Sequence, residues 1–147
     1  MTPSVSNNAI QPYLFFGGRC DEAIEFYRRA VGAEVQMLSR FKDSPEPQPD
    51  MPANFGDKVM HASLRIGDSI LMASDGRCEG EPKFEGFSLS LTVPDEGAAD
   101  RAFAALSEGG AVTMPLMTTF WAPKFGMLQD KFGVGWMVSV IHKPPTG

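Results

Sequence analysis

One order of elements, written twice, constrains this chain more than any other feature. Asp21 and Glu22 open a helical stretch in which Ala23, Ile24, Tyr27, Ala30 and Val31 trace an apolar face. Arg28 and Arg29 fall in its last turns, and Gly32 stands where a left-handed cap is wanted. A shift of 77 positions carries Phe26 onto Phe103, Gly32 onto Gly109 and Val35 onto Val112. There Pro94-Asp95-Glu96 starts a second helix, with Ala98, Ala99, Ala102, Phe103 and Leu106 inward and Gly109-Gly110 at its end. Strand-like runs surround both helices: 13–16, 34–40, 59–66 and 69–74 in the first half, 87–93, 111–116, 125–129 and 134–141 in the second. Turns at Gly67-Asp68 and at Asp130 to Gly133 close a hairpin in each half.

Each half therefore reads β-α-β-β-β, which predicts an α+β fold of two βαβββ modules, about 11–75 and 86–141, joined by a polar linker at 76–86. One helix covers only one face of a four-stranded sheet, so the two sheets are expected to curve around a shared concave cleft. Alternation then sorts the side chains. Leu89, Leu91 and Val93 belong beneath a helix, leaving Ser88, Ser90 and Thr92 to the cleft. Met60, Ala62 and Leu64 likewise go inward, leaving His61, Ser63 and Arg65. Trp136 belongs beneath a helix and Met137 faces the cleft. Pro45, Pro47, Pro49 and Pro52 exclude a regular element from the loop 42–58, which reads as a lid, a binding loop or a disordered segment.

A chain of 147 residues fits one domain, and its formal net charge of -5 disfavours nucleic acid and anionic membrane as partners. Cys20 and Cys78 are too far apart for a zinc knuckle or a disulfide framework, and read as free thiols of a cytoplasmic protein. Residues 1–10 lack a leader pattern, and no run reaches membrane-spanning length.

The candidate site is rich in sulfur and rings. Met72, Met114, Met117, Met127 and Met137, with Trp121, Phe125 and Trp136, suit either a malleable apolar pocket or ordinary core filling. Trp121 lies in a loop and is the better ligand contact of the two indoles. His142 falls in a Pro-rich tail and is read as exposed and without a role. His61 has two readings: a proton donor or acceptor near neutral pH, or an imidazole bonded to backbone or to Ser63. No serine lies in a G-x-S-x-G elbow. Asp75, Glu79, Glu81 and Glu85 read as a solvated charged surface, and Asp130 as a turn residue bonding its own backbone.

Several separated motifs now carry a resemblance. Tyr13-Leu14-Phe15-Phe16 with Glu22 to Tyr27, Val59-Met60-His61-Ala62, Gly109 to Leu116, and Phe120-Trp121 with Asp130-Lys131-Phe132-Gly133 occur in order. The chain resembles the PhnB-like subgroup of the vicinal oxygen chelate superfamily, which includes glyoxalase I, bleomycin-resistance proteins and extradiol dioxygenases. Metal-using members hold a divalent ion with His or Glu side chains on the first and fourth strand of each half. Carried onto this chain, those positions are approximately Pro12, Met72, Ser88 and Met137, none of which ligates a hard or borderline dication. The subgroup has also carried a 3-demethylubiquinone 3-methyltransferase label, which the Gly17-Gly18 turn does not support because it lacks a dinucleotide-type glycine pattern.

The expectation is a protein that binds a small apolar or aromatic molecule in the inter-module cleft, without the superfamily's metal and with no other cofactor. Met72, Ser88, Ser90, Trp121, Phe125, Met127 and Met137 would line the site, with His61 as a catalytic candidate and Arg65 as a polar anchor. The alternative is a divalent-metal-dependent lyase, isomerase or dioxygenase. A third possibility makes the cleft face a subunit contact. The superfamily's habit of pairing also implies a homodimer.

Overall fold

The computed structural model describes residues 9–44, 55–76 and 82–140. Pro45, Pro47, Pro49, Pro52, Cys78, Glu79, Glu81 and His142 lie outside them. The elements run β1 (Tyr13–Phe15), α1 (Cys20–Val31), β2 (Glu34–Arg40), β3 (Val59–Ile66), β4 (Ser69–Ser74), β5 (Leu89–Val93), α2 (Glu96–Ser107), β6 (Ala111–Met117), β7 (Phe125–Gln129) and β8 (Gly135–Val140). They form two four-stranded sheets of the same order, β1-β4-β3-β2 and β5-β8-β7-β6. In each, the first listed pair is parallel and the other two are antiparallel. The fold is therefore α+β, built from two βαβββ repeats, and the shift of 77 carries β2 onto β6 residue for residue.

The described chain divides into two compact units. One holds the residues up to Glu25 and those from Ala33 to Gly76; the other holds Phe26–Gly32 and the residues from Pro82 onward. The division runs through α1, which reading in chain order assigns whole to the first half.

In the first unit, Leu14, Ala62, Leu64, Leu71 and Ala73 are buried on one face of the sheet, as their alternation predicts. Burying a side chain such as Leu64 fully contributes roughly 2 kcal/mol. Asp75 corrects the sequence reading. It is 1% exposed rather than part of a solvated surface. Its Oδ1 accepts from the backbone N–H groups of Gly18 and Cys20, each at 2.8 Å, and its Oδ2 from that of Val59 at 2.8 Å. The N-terminal amides of a helix lack intrahelical acceptors, so a carboxyl arriving from the end of β4 meets a need that α1 cannot meet itself.

The proline-rich loop also differs from expectation at its flanks. Two 3-10 turns, Phe41–Asp43 and Phe55–Asp57, stand there, with the Phe41 and Phe55 rings edge to face at 4.5 Å. All four prolines lie between these turns, so the steric exclusion that they impose does not reach the turns.

In the second unit, α2 packs across β5, β6, β7 and β8, burying Ala99, Ala102, Phe103 and Leu106. Its N-cap is Asp95, whose side chain accepts from the Ala98 N–H at 2.8 Å. Close approach of helix to sheet depends on Gly126, where an added Cβ would stand 2.7 Å from Cε2 of Phe103. On α1, Phe26 and Tyr27 are buried while Ala30 and Val31 are half-buried, so the apolar face is rotated toward the aromatic pair. Phe26, Tyr27, Phe132 and Trp136 form a cluster with ring centroids 5.6 to 6.1 Å apart.

Asp130 organises that cluster. It is 3% exposed, and its Oδ1 accepts from the Phe132 and Val134 N–H groups at 2.9 and 3.1 Å, the expected turn contacts. Its Oδ2 accepts from the Tyr27 hydroxyl at 2.6 Å and from the Trp136 indole N–H at 2.9 Å. Trp136 is thus buried, and its one polar atom is bonded.

Candidate functional site

Strand registers decide which candidates share a face, because directly opposed residues point the same way. In the second sheet Ser90 is opposite Met137, Met137 opposite Met127, and Met127 opposite Met114. One row of a hydroxyl and three thioethers therefore crosses all four strands. The adjacent row runs Thr92, Ser139, Phe125 and Met117. This is the face opposite to Leu128, Trp136 and Val138, which are buried. Trp121, 47% exposed, sets its ring edge to face with Phe125 at 5.4 Å and with Phe120 at 4.8 Å.

Of the residues predicted to line the site, Ser90, Phe125, Met127 and Met137 are thus brought together, with Trp121 against Phe125. Ser88 is not in the row. It precedes β5, is exposed, and its Oγ would stand 3.0 Å from a Cβ added at Gly135. Phe87 is likewise exposed and lies outside the strand.

In the first sheet Tyr13 is opposite Met72, and Met72 is opposite Ser63, which in turn faces Met37. Tyr13 and Phe15 are 38% and 49% exposed, and their rings stack with centroids 4.8 Å apart and planes 11° from parallel. His61 lies two residues before Ser63 on the same face. Its Nδ1 is 2.8 Å from the Tyr13 hydroxyl, and the two rings meet edge to face at 5.3 Å. Neither sequence reading of His61 included this partner. The pairing with β4 is what places Tyr13 there, and a single sequence carries no signal for it. Burial raises the Tyr13 phenol above its ordinary range, with the nearby Cys20 acting in the same direction and a side-chain hydrogen bond with Ser74 acting against both, so the phenol stays protonated.

Arg65 stands further along β3, exposed, with its guanidinium paired to Glu34 on β2. That partner, first through its hydrogen bond and then through its charge, holds the guanidinium above its ordinary range. Cys20 is fully buried, and burial reinforced by Asp75 and Asp21 raises its thiol far above the usual range, which suits an inert core thiol.

The registers also revise the metal positions. Opposite Met72 stands Tyr13 rather than Pro12, whose carbonyl instead accepts from the Met72 N–H at 2.9 Å. Opposite Met137 stands Ser90 rather than Ser88. In the first unit these positions carry a phenol and a thioether, and in the second a hydroxyl and a thioether, none of which suits a hard or borderline dication. Among the described residues no three His, Cys, Asp or Glu side chains gather where an ion could be held. Among them, too, no helix is long and apolar enough to cross a membrane.

The family description 3-demethylubiquinone-9 3-methyltransferase matches residues 8–139. Protein YjdN of Escherichia coli (strain K12) is 37% identical over 144 residues, spanning 93% of this chain and 98% of that protein. Protein PA1353 from Pseudomonas aeruginosa has a solved structure that superposes with a TM-score of 0.81 at 44% identity, over 93% of this chain and 100% of that one. The Bacillus cereus PhnB protein superposes with a TM-score of 0.75 at 29% identity, over 91% and 100% of the two chains. A glyoxalase-related enzyme from Fulvimarina pelagi shares the fold at 15% identity, with a TM-score of 0.59 over 96% and 93%.

Proposed function

The chain belongs to the PhnB-like family of glyoxalase-fold proteins that carries the description 3-demethylubiquinone-9 3-methyltransferase, and from that premise we propose that it binds a small apolar or aromatic molecule on the open faces of its sheets, without the superfamily's divalent metal. The observation that carries this reading is the row Ser90, Met137, Met127 and Met114 beside Phe125 and Trp121. Thioethers on unbranched stems adapt to irregular apolar shapes and make favourable contacts with rings, whereas they are poor ligands for hard cations.

Methyl transfer from S-adenosylmethionine is not part of this reading. That chemistry calls for a doubly wound parallel sheet with a glycine-rich turn whose amides are open to the cofactor. Here β1 belongs to a mixed four-stranded sheet, and the Gly18 amide is taken up by Asp75. A homodimer belongs to the same proposal, supported by Val35, Met37, Val112 and Met117 standing exposed on the edge strands β2 and β6.

The test uses 2-isopropylnaphthalene as a neutral aromatic probe, equilibrium dialysis to read its binding, and elemental analysis of the purified protein. Saturable binding that survives EDTA, that Met127→Asp reduces, and that is accompanied by substoichiometric metal supports the reading. Stoichiometric divalent metal, or binding that EDTA removes, overturns it. Light scattering across a dilution series reads the dimer.

A further inference from the structure

We propose that the Tyr13–His61 pair is the polar anchor of the first sheet's open face, and that it selects aromatic molecules bearing a carbonyl oxygen, which His61 Nε2 binds as a hydrogen-bond donor. This deepens the proposed function and rests on it.

Three observations carry the proposal. First, the Tyr13 hydroxyl engages Nδ1 of His61 at 2.8 Å. On this proposal the protonated phenol donates to that nitrogen, so the ring's second nitrogen carries the N–H, and the tautomer is set by the bond on the opposite side of the ring. Second, Nε2 has no hydrogen-bond partner among the described residues, while no buried side-chain nitrogen or oxygen lacks one. Since His61 is itself only half-buried, Nε2 must be reachable from solvent, where it offers its N–H outward. Third, a platform lies beside it: Tyr13 and Phe15 stack and remain substantially exposed, and Met72 is directly opposite Tyr13. Rings and a thioether give an aromatic ligand its contact area, and a single N–H donor gives it an orientation. An acceptor oxygen on the ligand is what such a donor recognises. Tyr13 is then a positioning residue acting through His61.

The experiment compares 2-acetylnaphthalene with 2-isopropylnaphthalene, whose side group has the same number of heavy atoms without the oxygen. One net hydrogen bond predicts that the ketone binds about three- to tenfold tighter. His61→Phe should erase that difference while leaving the hydrocarbon bound. In a His142→Gln background, 15N NMR of the one remaining imidazole should report the Nε2–H tautomer, and Tyr13→Phe should return it to a mixture. Equal affinity for the two probes overturns the proposal while the apolar-binding reading stands. Absence of binding by either probe overturns both. A ketone preference that survives His61→Phe, or a tautomer unmoved by Tyr13→Phe, overturns the proposal alone.

Discussion

The Tyr27 hydroxyl donates to Oδ2 of Asp130 at 2.6 Å across 103 positions of sequence. The same oxygen accepts from the Trp136 indole, so one carboxyl joins a helix residue, a strand residue and a hairpin turn. A buried polar group of this kind stabilises only while all of its partners are present, because each orphaned donor costs about 1 to 3 kcal/mol.

Asp130→Ala should therefore destabilise far more than Tyr27→Phe. It takes an acceptor from the phenol, the indole and two backbone amides, for an expected loss of about 4 kcal/mol or more, against about 1 to 2 kcal/mol for Tyr27→Phe. Urea unfolding followed by tryptophan fluorescence measures both. Equal losses would show that the carboxyl is not the hub.

Glycine substitutions should separate a soft clash from a hard one. At Gly126 an added Cβ meets a ring atom of Phe103 at 2.7 Å, and at Gly110 it meets the backbone oxygen of Gln129 at 2.1 Å. A ring can shift a little, but a paired strand backbone cannot. Gly126→Ala is expected to fold with a loss of about 1 to 3 kcal/mol, and Gly110→Ala to lose its cooperative thermal transition.

The Arg40 guanidinium grips Asp21 through two bonds of 2.9 Å and holds its carboxyl below the ordinary carboxylate range. A depressed folded value means that this pair's contribution is full above the unfolded value, roughly pH 3.9, and is lost as pH falls through the folded one. Asp21 is half-exposed and screened, so the neutral-pH cost of Asp21→Asn should stay below about 1 kcal/mol. Urea midpoints should separate the variant from the parent at pH 7 and converge in strong acid; a gap independent of pH would refute the linkage.

With Cys78→Ser leaving one thiol, Cys20 should resist dithiobis-nitrobenzoate in the native protein and react on unfolding in urea. Its burial and raised thiol range both suppress the thiolate. Rapid native labelling at neutral pH would show that the first turn of α1 opens readily.

The two indoles should respond oppositely to acrylamide. Trp121 is 47% exposed and Trp136 is buried against Tyr27. Trp121→Ala should remove most of the quenching at a cost of less than about 1 kcal/mol, whereas Trp136→Ala should cost about 3 kcal/mol or more.

By itself the sequence determined the order of elements, the duplication and the parity of each strand. These follow from local patterning: Leu89 alternating with Ser90, Gly32 and Gly109 in left-handed conformations that favour glycine after each helix, and β3 and β4 bounded by their turn residues. Periodicity is a property of neighbours along the chain, and neighbours are what a sequence displays. Only the tertiary structure decided what meets across strands and loops: that Asp75 bonds Gly18, that Asp130 holds Tyr27, that Tyr13 holds His61, and that Ser90 rather than Ser88 stands opposite Met137. Strand register fixes those partnerships, and register depends on pairing energies summed over whole sheets. The same Asp can therefore read as surface or turn in sequence and become a buried hub once its distant partner is in place.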